Sequence, residues 1–502
     1  MMKAMSMGAG NAYSFSASLS HGHKPKKTSI SYQGIFNEHC YQLKERENEH
    51  VVNVEIETAQ SVDQESAPTF WVSLLFKSKL DGAPRDERPI DLVVVLDQSG
   101  SMDSKVENKT KMELAKIGIE KLYKILRPND RLGLCRFNND ANVVFDIQQV
   151  EDIAPTTFQT AIDSVVVDGG TTLSAGFACG LSMFDEWTKG QSVEDPLADI
   201  REKRIIFLTD MEGMGGDTLS QLLKKGVGKN IFTSVVGLGL DFNSSLTESI
   251  IKVPGANYFT TRDEKDLEEI LVKDFFYNFF PASHGNTLTF SSEDFELVNT
   301  YGTPLDPESE KMELDWLPKH HRQYPKDFKD RAMTFLLSLR RSSMKVPMIA
   351  FSEIMDFIAP REVEVSRLET IFPSAMPDDN NIEGGLILLK LKPKRKEITQ
   401  GTAGLGLRWR HLDGSEGKLS HSVTLNTNTT AIIGDNSTNI DKGYALTRYV
   451  ETVHSMLDNS EKNKANALLV KEWFEEQASK YPKDEKFDTR RKDFQKVLEI
   501  KQ

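Results

Sequence analysis

Asp97, Ser99 and Ser101 occupy every second position in residues 91–102, DLVVVLDQSGSM, with Gly100 between the serines. One carboxylate and two hydroxyls on a single turn form a set of hard oxygen donors. Mg²⁺ accepts such a set while retaining some of its waters. The same residue types also cap helices, and a helical pattern begins near Lys111. Spacing alone leaves both readings open. Two more oxygen-bearing residues stand in separate stretches: Thr171, after Gly169-Gly170, and Asp210, after the run RIIFLT.

The elements that must carry these residues decide between the readings. Residues 92–96 are an unbroken branched apolar run, the pattern of a strand buried on both faces in a parallel sheet. From residue 91 onward, strands and helices alternate. Helical spacing covers 111–126 and ends at Pro128-Asn129-Asp130. Residues 131–137 and 142–146 read as a hairpin. Helices are expected near 157–164, 173–187, 219–226, 246–251 and 264–280, and strands at 204–209, 231–236 and 258–260. Such alternation predicts an α/β fold, a doubly wound and mostly parallel sheet of Rossmann-like type. Ligands bind such sheets at the carboxyl ends of the strands, where strand order reverses. Asp97 ends one buried strand and Asp210 follows another, so both reach the same edge. Thr171 lies in a Gly-Gly turn that opens a helix facing that edge.

The flanks have a different texture. Residues 51–58 alternate apolar and polar side chains, and 70–76 form a second strand candidate. Two strands do not make a stable domain, so these need partners from later in the chain. Candidates lie at 287–290, 295–298, 385–391, 405–410 and 422–425. A β-sandwich-like arm is therefore expected from 31–87 together with 284–435, interrupted by a helical insertion within 325–341. Residues 440–502 read as charged helices, most simply with solvated faces.

Composition narrows the function classes. A chain of 502 residues implies two or three domains. The net charge of -13 argues against a general nucleic-acid binder, which needs a basic face. Cys40, Cys135 and Cys179 are too few and too scattered for a disulfide framework or zinc site, which fits a reducing compartment. No stretch approaches the ~18 apolar residues of a membrane helix, and residues 1–29 lack the apolar core of a signal peptide. Residues 1–30 are expected to be a disordered tail, and the location cytoplasmic.

Asp-Gln-Ser-Gly-Ser-Met at 97–102, Gly-Gly-Thr at 169–171 and Thr-Asp at 209–210 resemble the three loops of the von Willebrand factor type A (VWA) domain. The resemblance spans about 88–281, implying a domain over 88–283, and includes Val236-Gly237-Leu238-Gly239 and Gly255-Ala256-Asn257-Tyr258-Phe259. It implies an intact metal-ion-dependent adhesion site (MIDAS). Asp97, Ser99 and Ser101 would hold Mg²⁺, with Mn²⁺ or Ca²⁺ as alternatives, and Thr171 and Asp210 would join directly or through water. One coordination position would be left for an Asp or Glu carboxylate of a protein partner. Met211-Glu212 departs from the family, which often has Gly after the Asp. The flanks resemble bacterial and protist proteins that carry this domain between β-rich arms, through residues 34–38, 372–374 and 384–391.

The weaker constellations fall away. Gly226-Val227-Gly228-Lys229 lacks the glycine a phosphate loop needs five residues before Gly228, where Leu223 stands. The adjacent pair His320-His321 cannot chelate as a helical i, i+4 pair does. Asp168, Glu212 and Asp217 are the local acids that a metal-assisted hydrolase would use, and none has a matching His. The resulting expectation is a non-enzymatic, Mg²⁺-dependent protein-interaction and adhesion module. An enzyme accessory subunit or hydrolase using the same cation, and a scaffold with a vestigial site, are the alternatives.

Overall fold

The computed structural model describes residues 15–303 and 363–499, less 17–18, 21, 23, 26, 45–49, 63–67, 83–87, 107, 191–196, 198–199, 211–215, 240–252, 254, 262, 379, 396, 412–413, 429, 434–437 and 459. The chain first lays down flanking elements: helix α1 (Tyr32–Asn37) and strands β1 (Cys40–Gln42), β2 (Val52–Val62) and β3 (Pro68–Ser78). β4 (Ile90–Asp97) then starts a separate six-stranded sheet. A small hairpin, β5 (Lys105–Val106) and β6 (Lys109–Thr110), leads to α2 (Lys111–Ile125), and β7 (Arg131–Phe137) and β8 (Ala141–Gln149) form the expected hairpin. There follow α3 (Pro155–Asp163), α4 (Leu173–Gly190), β9 (Glu202–Thr209), α5 (Gly216–Val227), β10 (Ile231–Leu238) and β11 (Asn257–Thr261).

Across this sheet the order is β11-β10-β9-β4-β7-β8, and every pairing except β7–β8 is parallel. Alternation explains why β4 is apolar from Leu92 to Leu96. Leu92, Val94 and Leu96 face a core made with α2, α3 and the aromatic stretch near residue 275. Val93 and Val95 face the opposite core, made with α4 and α5. Burying each such side chain contributes about 1.5–3 kcal/mol, so this strand carries charge only near its two ends, at Asp91, which is paired with Arg131 and Arg201, and at Asp97. This is the predicted VWA-type α/β fold.

The helix expected over 264–280 is not one regular helix. It runs as α6 (Glu264–Glu268), a wide π turn (Glu269–Lys273) and α7 (Phe275–Phe279). A π turn leaves carbonyls without their usual helical partners. Here the Asn278 side-chain amide donates to the Ile270 carbonyl at 3.0 Å.

After the central sheet come β12 (Ser283–Ser291), β13 (Phe295–Tyr301), β14 (Val363–Ile371), β15 (Asn381–Glu383), β16 (Leu386–Pro393), β17 (Gln400–Arg410) and β18 (Glu416–Asn426). Two four-stranded antiparallel sheets result, ordered β13-β16-β3-β2 and β14-β12-β17-β18. Phe70, Val72 and Leu74 of the first share a core with Leu288, Leu405 and Leu407 of the second. Strands from before and after the central sheet therefore pair, and the VWA segment is inserted between them. The other face of the first sheet carries Trp71, Leu75, Leu386 and Leu388 against helices α8 (Asn439–Asp458), α9 (Ser460–Ser479) and α10 (Lys486–Glu499).

Two expectations are corrected here. Residues 1–30 are not a tail throughout, because Phe15, Leu19 and Ile30 are buried among these helices and Ser16 Oγ donates to Asp493 at 2.6 Å, while residues 1–14 lie outside the described residues. The C-terminal helices are not simply solvated: α8 is buried along most of its length, since an apolar sheet face must be covered. The helical runs at 246–251 and 325–341, and His320-His321, lie outside the described residues. No helix among the described residues is long and apolar enough to cross a membrane.

Candidate metal centre

β4 and β9 are neighbours, with Leu96 aligned to Leu208. The chain leaves β4 toward β7 on one side and leaves β9 toward β10 on the other. Strand order therefore reverses between their carboxyl ends, which opens a crevice there. Asp97 stands at this strand end, fully buried. Its Oδ1 accepts the Ser99 backbone N–H at 2.8 Å, which turns the chain out of the strand. Its Oδ2 accepts the Thr209 hydroxyl at 2.6 Å from the neighbouring strand. Ser99 Oγ and Ser101 Oγ lie 3.1 Å apart, so both hydroxyls point to one place. Burial pushes the Asp97 carboxyl up to about 6, aided by the nearby Asp210 charge and opposed by hydrogen bonds from Thr209 and Ser99.

The Thr171 loop is tied to this turn through its backbone. Asp168 N–H donates to the Gln98 carbonyl at 2.7 Å, and Gly100 N–H donates to the Gly169 carbonyl at 3.0 Å. The Asn138 amide donates to the Asp168 carbonyl at 3.1 Å, and Thr172 N–H donates to the Asn138 carbonyl at 2.7 Å. Gly169 has φ +78°, and a Cβ there would stand 2.8 Å from Asn138 Nδ2, so a side chain would meet both strain and a clash. Thr171, half-buried, is held just ahead of α4.

Asp210 is buried and paired. Lys111 Nζ donates to its Oδ2 at 3.0 Å, with the two side chains only 4% and 0% exposed. Lys111 is the first residue of α2. Thr110 caps that helix in a reciprocal capping box with Glu113. The Lys111 backbone N–H donates to the Ser104 carbonyl, and the Ser104 hydroxyl donates to the Ser101 carbonyl at 2.6 Å, so the lysine is anchored to the turn that carries Ser99 and Ser101.

The structure thus gathers Asp97, Ser99 and Ser101 in direct contact, joins Asp210 to them through Thr209 and Lys111, and places Thr171 beside them by loop backbone. Lys111 is not singled out in the sequence, and Thr209 enters there only as part of the Thr-Asp motif at 209–210. A lysine at the first position of a helix, where the dipole disfavours a cation, was the available signal. Among the described residues no group of three or more His, Cys, Asp or Glu side chains is arranged to hold a metal. The donor set here is instead carboxylate and hydroxyl oxygen, which suits a hard divalent cation. Asp168 is exposed, while Glu212 and the Asp217 side chain lie outside the described residues. Gly226-Val227-Gly228-Lys229 spans the last residues of α5 and the turn after it, where Gly228 N–H donates to the Lys224 carbonyl and Lys229 pairs with Asp185.

This sheet and its loop cluster define the class, and the chain carries a VWA domain: residues 92–213 match the family described as von Willebrand factor type A domain. An uncharacterised protein of Synechocystis sp. is 31% identical over 188 residues, covering 37% of this chain and 40% of the relative. Uncharacterised protein YwmC of Bacillus subtilis is 24% identical over 200 residues, 37% of this chain and 82% of the relative. A solved von Willebrand factor type A protein from Catenulispora acidiphila aligns at TM-score 0.46 with 13% identity, over 82% of each chain. The chain thus spans about two fifths of the length of the cyanobacterial relative.

Proposed function

We propose that this protein is a Mg²⁺-dependent protein-interaction module whose VWA domain captures an acidic group of a partner. The observation that carries the reading is the Asp97–Ser99–Ser101 turn, hydrogen-bonded through Thr209 to the strand that leads to Asp210 at the point of strand reversal. Asp97, Ser99 and Ser101 would hold the cation, with Thr171 and Asp210 supporting it. When bound, the ion supplies a Lewis-acid anchor for a carboxylate. The chain's own residues hold the oxygens in place: Thr209 and the Ser99 N–H fix the Asp97 carboxylate, and Gly169 lets the Thr171 loop approach. The role proposed is binding and not catalysis, because among the described residues no base–nucleophile pair accompanies the donor set.

Calorimetric titration tests the site. Asp97→Ala should abolish Mg²⁺ and Mn²⁺ binding while the protein stays folded, since the residue terminates a strand whose core neighbours are unchanged. Unaltered Mn²⁺ affinity in a folded Asp97→Ala protein would refute the assignment. Capture of a partner from native lysate should require Mg²⁺, fail in chelator, and fail with folded Thr171→Ala or Asp210→Ala. Turnover of phosphoester, peptide or nucleotide substrates that disappears with Asp97→Ala would replace this reading with a metal-assisted hydrolase.

A further inference from the structure

We infer that Lys111 is a resident counter-charge of the metal centre, which weakens divalent-cation binding and leaves the bound ion electropositive. The inference rests on the metal reading above and concerns a residue outside the liganding set.

Three features of the structure place a cost on this lysine that packing alone does not explain. Its ammonium is removed from water, with the side chain 4% exposed. A buried charge is tolerated only when paired and hydrogen-bonded, and its partner is Asp210, at 3.0 Å. Lys111 also stands at the first position of α2, where the partial positive charge of the helix terminus disfavours a cation. Finally, space is reserved for it. Gly239, directly after β10, has φ +98°, and a Cβ there would lie 3.0 Å from Lys111 Cε and 3.7 Å from Nζ. A position that breaks local rules in several ways at once is where function is expected.

The consequence is electrostatic. With Asp97 and Asp210 ionised, Lys111 leaves those three side chains one net negative charge. A divalent cation bound there keeps excess positive charge, and a carboxylate from a partner is what completes it. Without Lys111 the same cation would meet both carboxylates with that ammonium removed, bind more tightly, and demand a partner less.

The test is Mn²⁺ titration of the full chain by calorimetry, comparing wild type, Lys111→Met, Lys111→Arg, Asp210→Asn and the double variant Asp210→Asn/Lys111→Met. Lys111→Met should bind Mn²⁺ about tenfold tighter or more, whereas Lys111→Arg, which keeps the charge, should stay within about threefold of wild type. A residue that only fills space would show the opposite ranking, because the methionine matches the lysine stem and the guanidinium does not. If Lys111→Met does not fold, the Asp210 pair decides. The neutral double variant should bind Mn²⁺ at least about threefold tighter than Asp210→Asn alone, in which the ammonium has lost its carboxylate and repels the ion. Wild-type protein that takes up no Mn²⁺ would overturn the metal reading and this inference with it. Wild-type binding combined with equal or weaker affinity in Lys111→Met, or in the double variant against its parent, would overturn this inference alone.

Discussion

Asp97 must be ionised to hold a cation, yet burial and the neighbouring Asp210 make ionisation costly. In the metal-free fold its carboxyl titrates at about 6, above the ordinary value of 3.8. The sign follows from linkage. Ionised Asp97 destabilises the metal-free protein as pH rises from 3.8 through about 6, and a bound cation relieves that cost. Mn²⁺ affinity should therefore be constant above about pH 7 and fall about tenfold by pH 5. Affinity that stays flat across that window in a calorimetric pH series would show that Asp97 is not so perturbed. Asp97, Ser99 and Ser101 are legible in sequence because their relation is local, an alternation on one turn. Asp210 is legible because the end of a buried strand is. Lys111 is not: its partner lies 99 residues away, and only the sheet order brings the start of α2 beside the end of β9.

At the scale of elements, β4, β9 and β10 are readable because strands buried on both faces are mostly apolar. β14 is not, because VEVSRLETI mixes charged and polar residues with its apolar ones. It matters, since β14 fastens the VWA domain to the flanking sheets. Thr370 on β14 accepts the Gly255 N–H at 2.7 Å, and its hydroxyl lies 3.1 Å from His284 Nδ1. His284, near the start of β12, stacks on Phe232 of β10 with ring centroids 4.4 Å apart. Burial, with the charges of Arg204, Arg88 and Arg410, lowers its pKa to about 3. The folded imidazole thus stays neutral where the unfolded one takes up a proton. Its contribution is fully present above about pH 6.5 and is lost progressively as pH falls toward 3. Urea unfolding should show wild-type protein losing about 2 kcal/mol more than His284→Gln between pH 7 and pH 4.5. Parallel pH profiles for the two proteins would mean that the junction tolerates an imidazolium.

At the scale of the molecule, three layers stand beside the VWA domain: the sheet β14-β12-β17-β18, the sheet β13-β16-β3-β2, and the helices α8–α10. The middle layer is apolar on both faces. Trp71 and Leu75 look toward the helices, while Phe70, Val72 and Leu74 look toward the other sheet. Pairing of early strands with late ones was inferable, because two strands cannot stand alone. The burial of the C-terminal helices was not. Their surface charge dominates composition, while the residues that pack, such as Tyr449, Val453, Phe474 and Phe494, are spread thinly among it. The tail was hidden for the same reason: Phe15 and Leu19 stand among small polar residues, yet both are buried against these helices. Buried pairs complete the attachment. His39 Nδ1 lies 2.8 Å from Asp484 Oδ2, and Lys442 pairs with the same carboxylate from α8. The VWA segment is different, because both faces of its sheet are covered by its own helices. Residues 88–283 alone should therefore unfold cooperatively, with a sharp thermal transition. A chain ending at residue 437 should keep that transition but leave the Trp71–Leu388 face uncovered, and so bind an apolar dye and aggregate. A truncated chain that stays monomeric and dye-free would show that the helices are accessory, and that the two facing sheets are stable without their third layer.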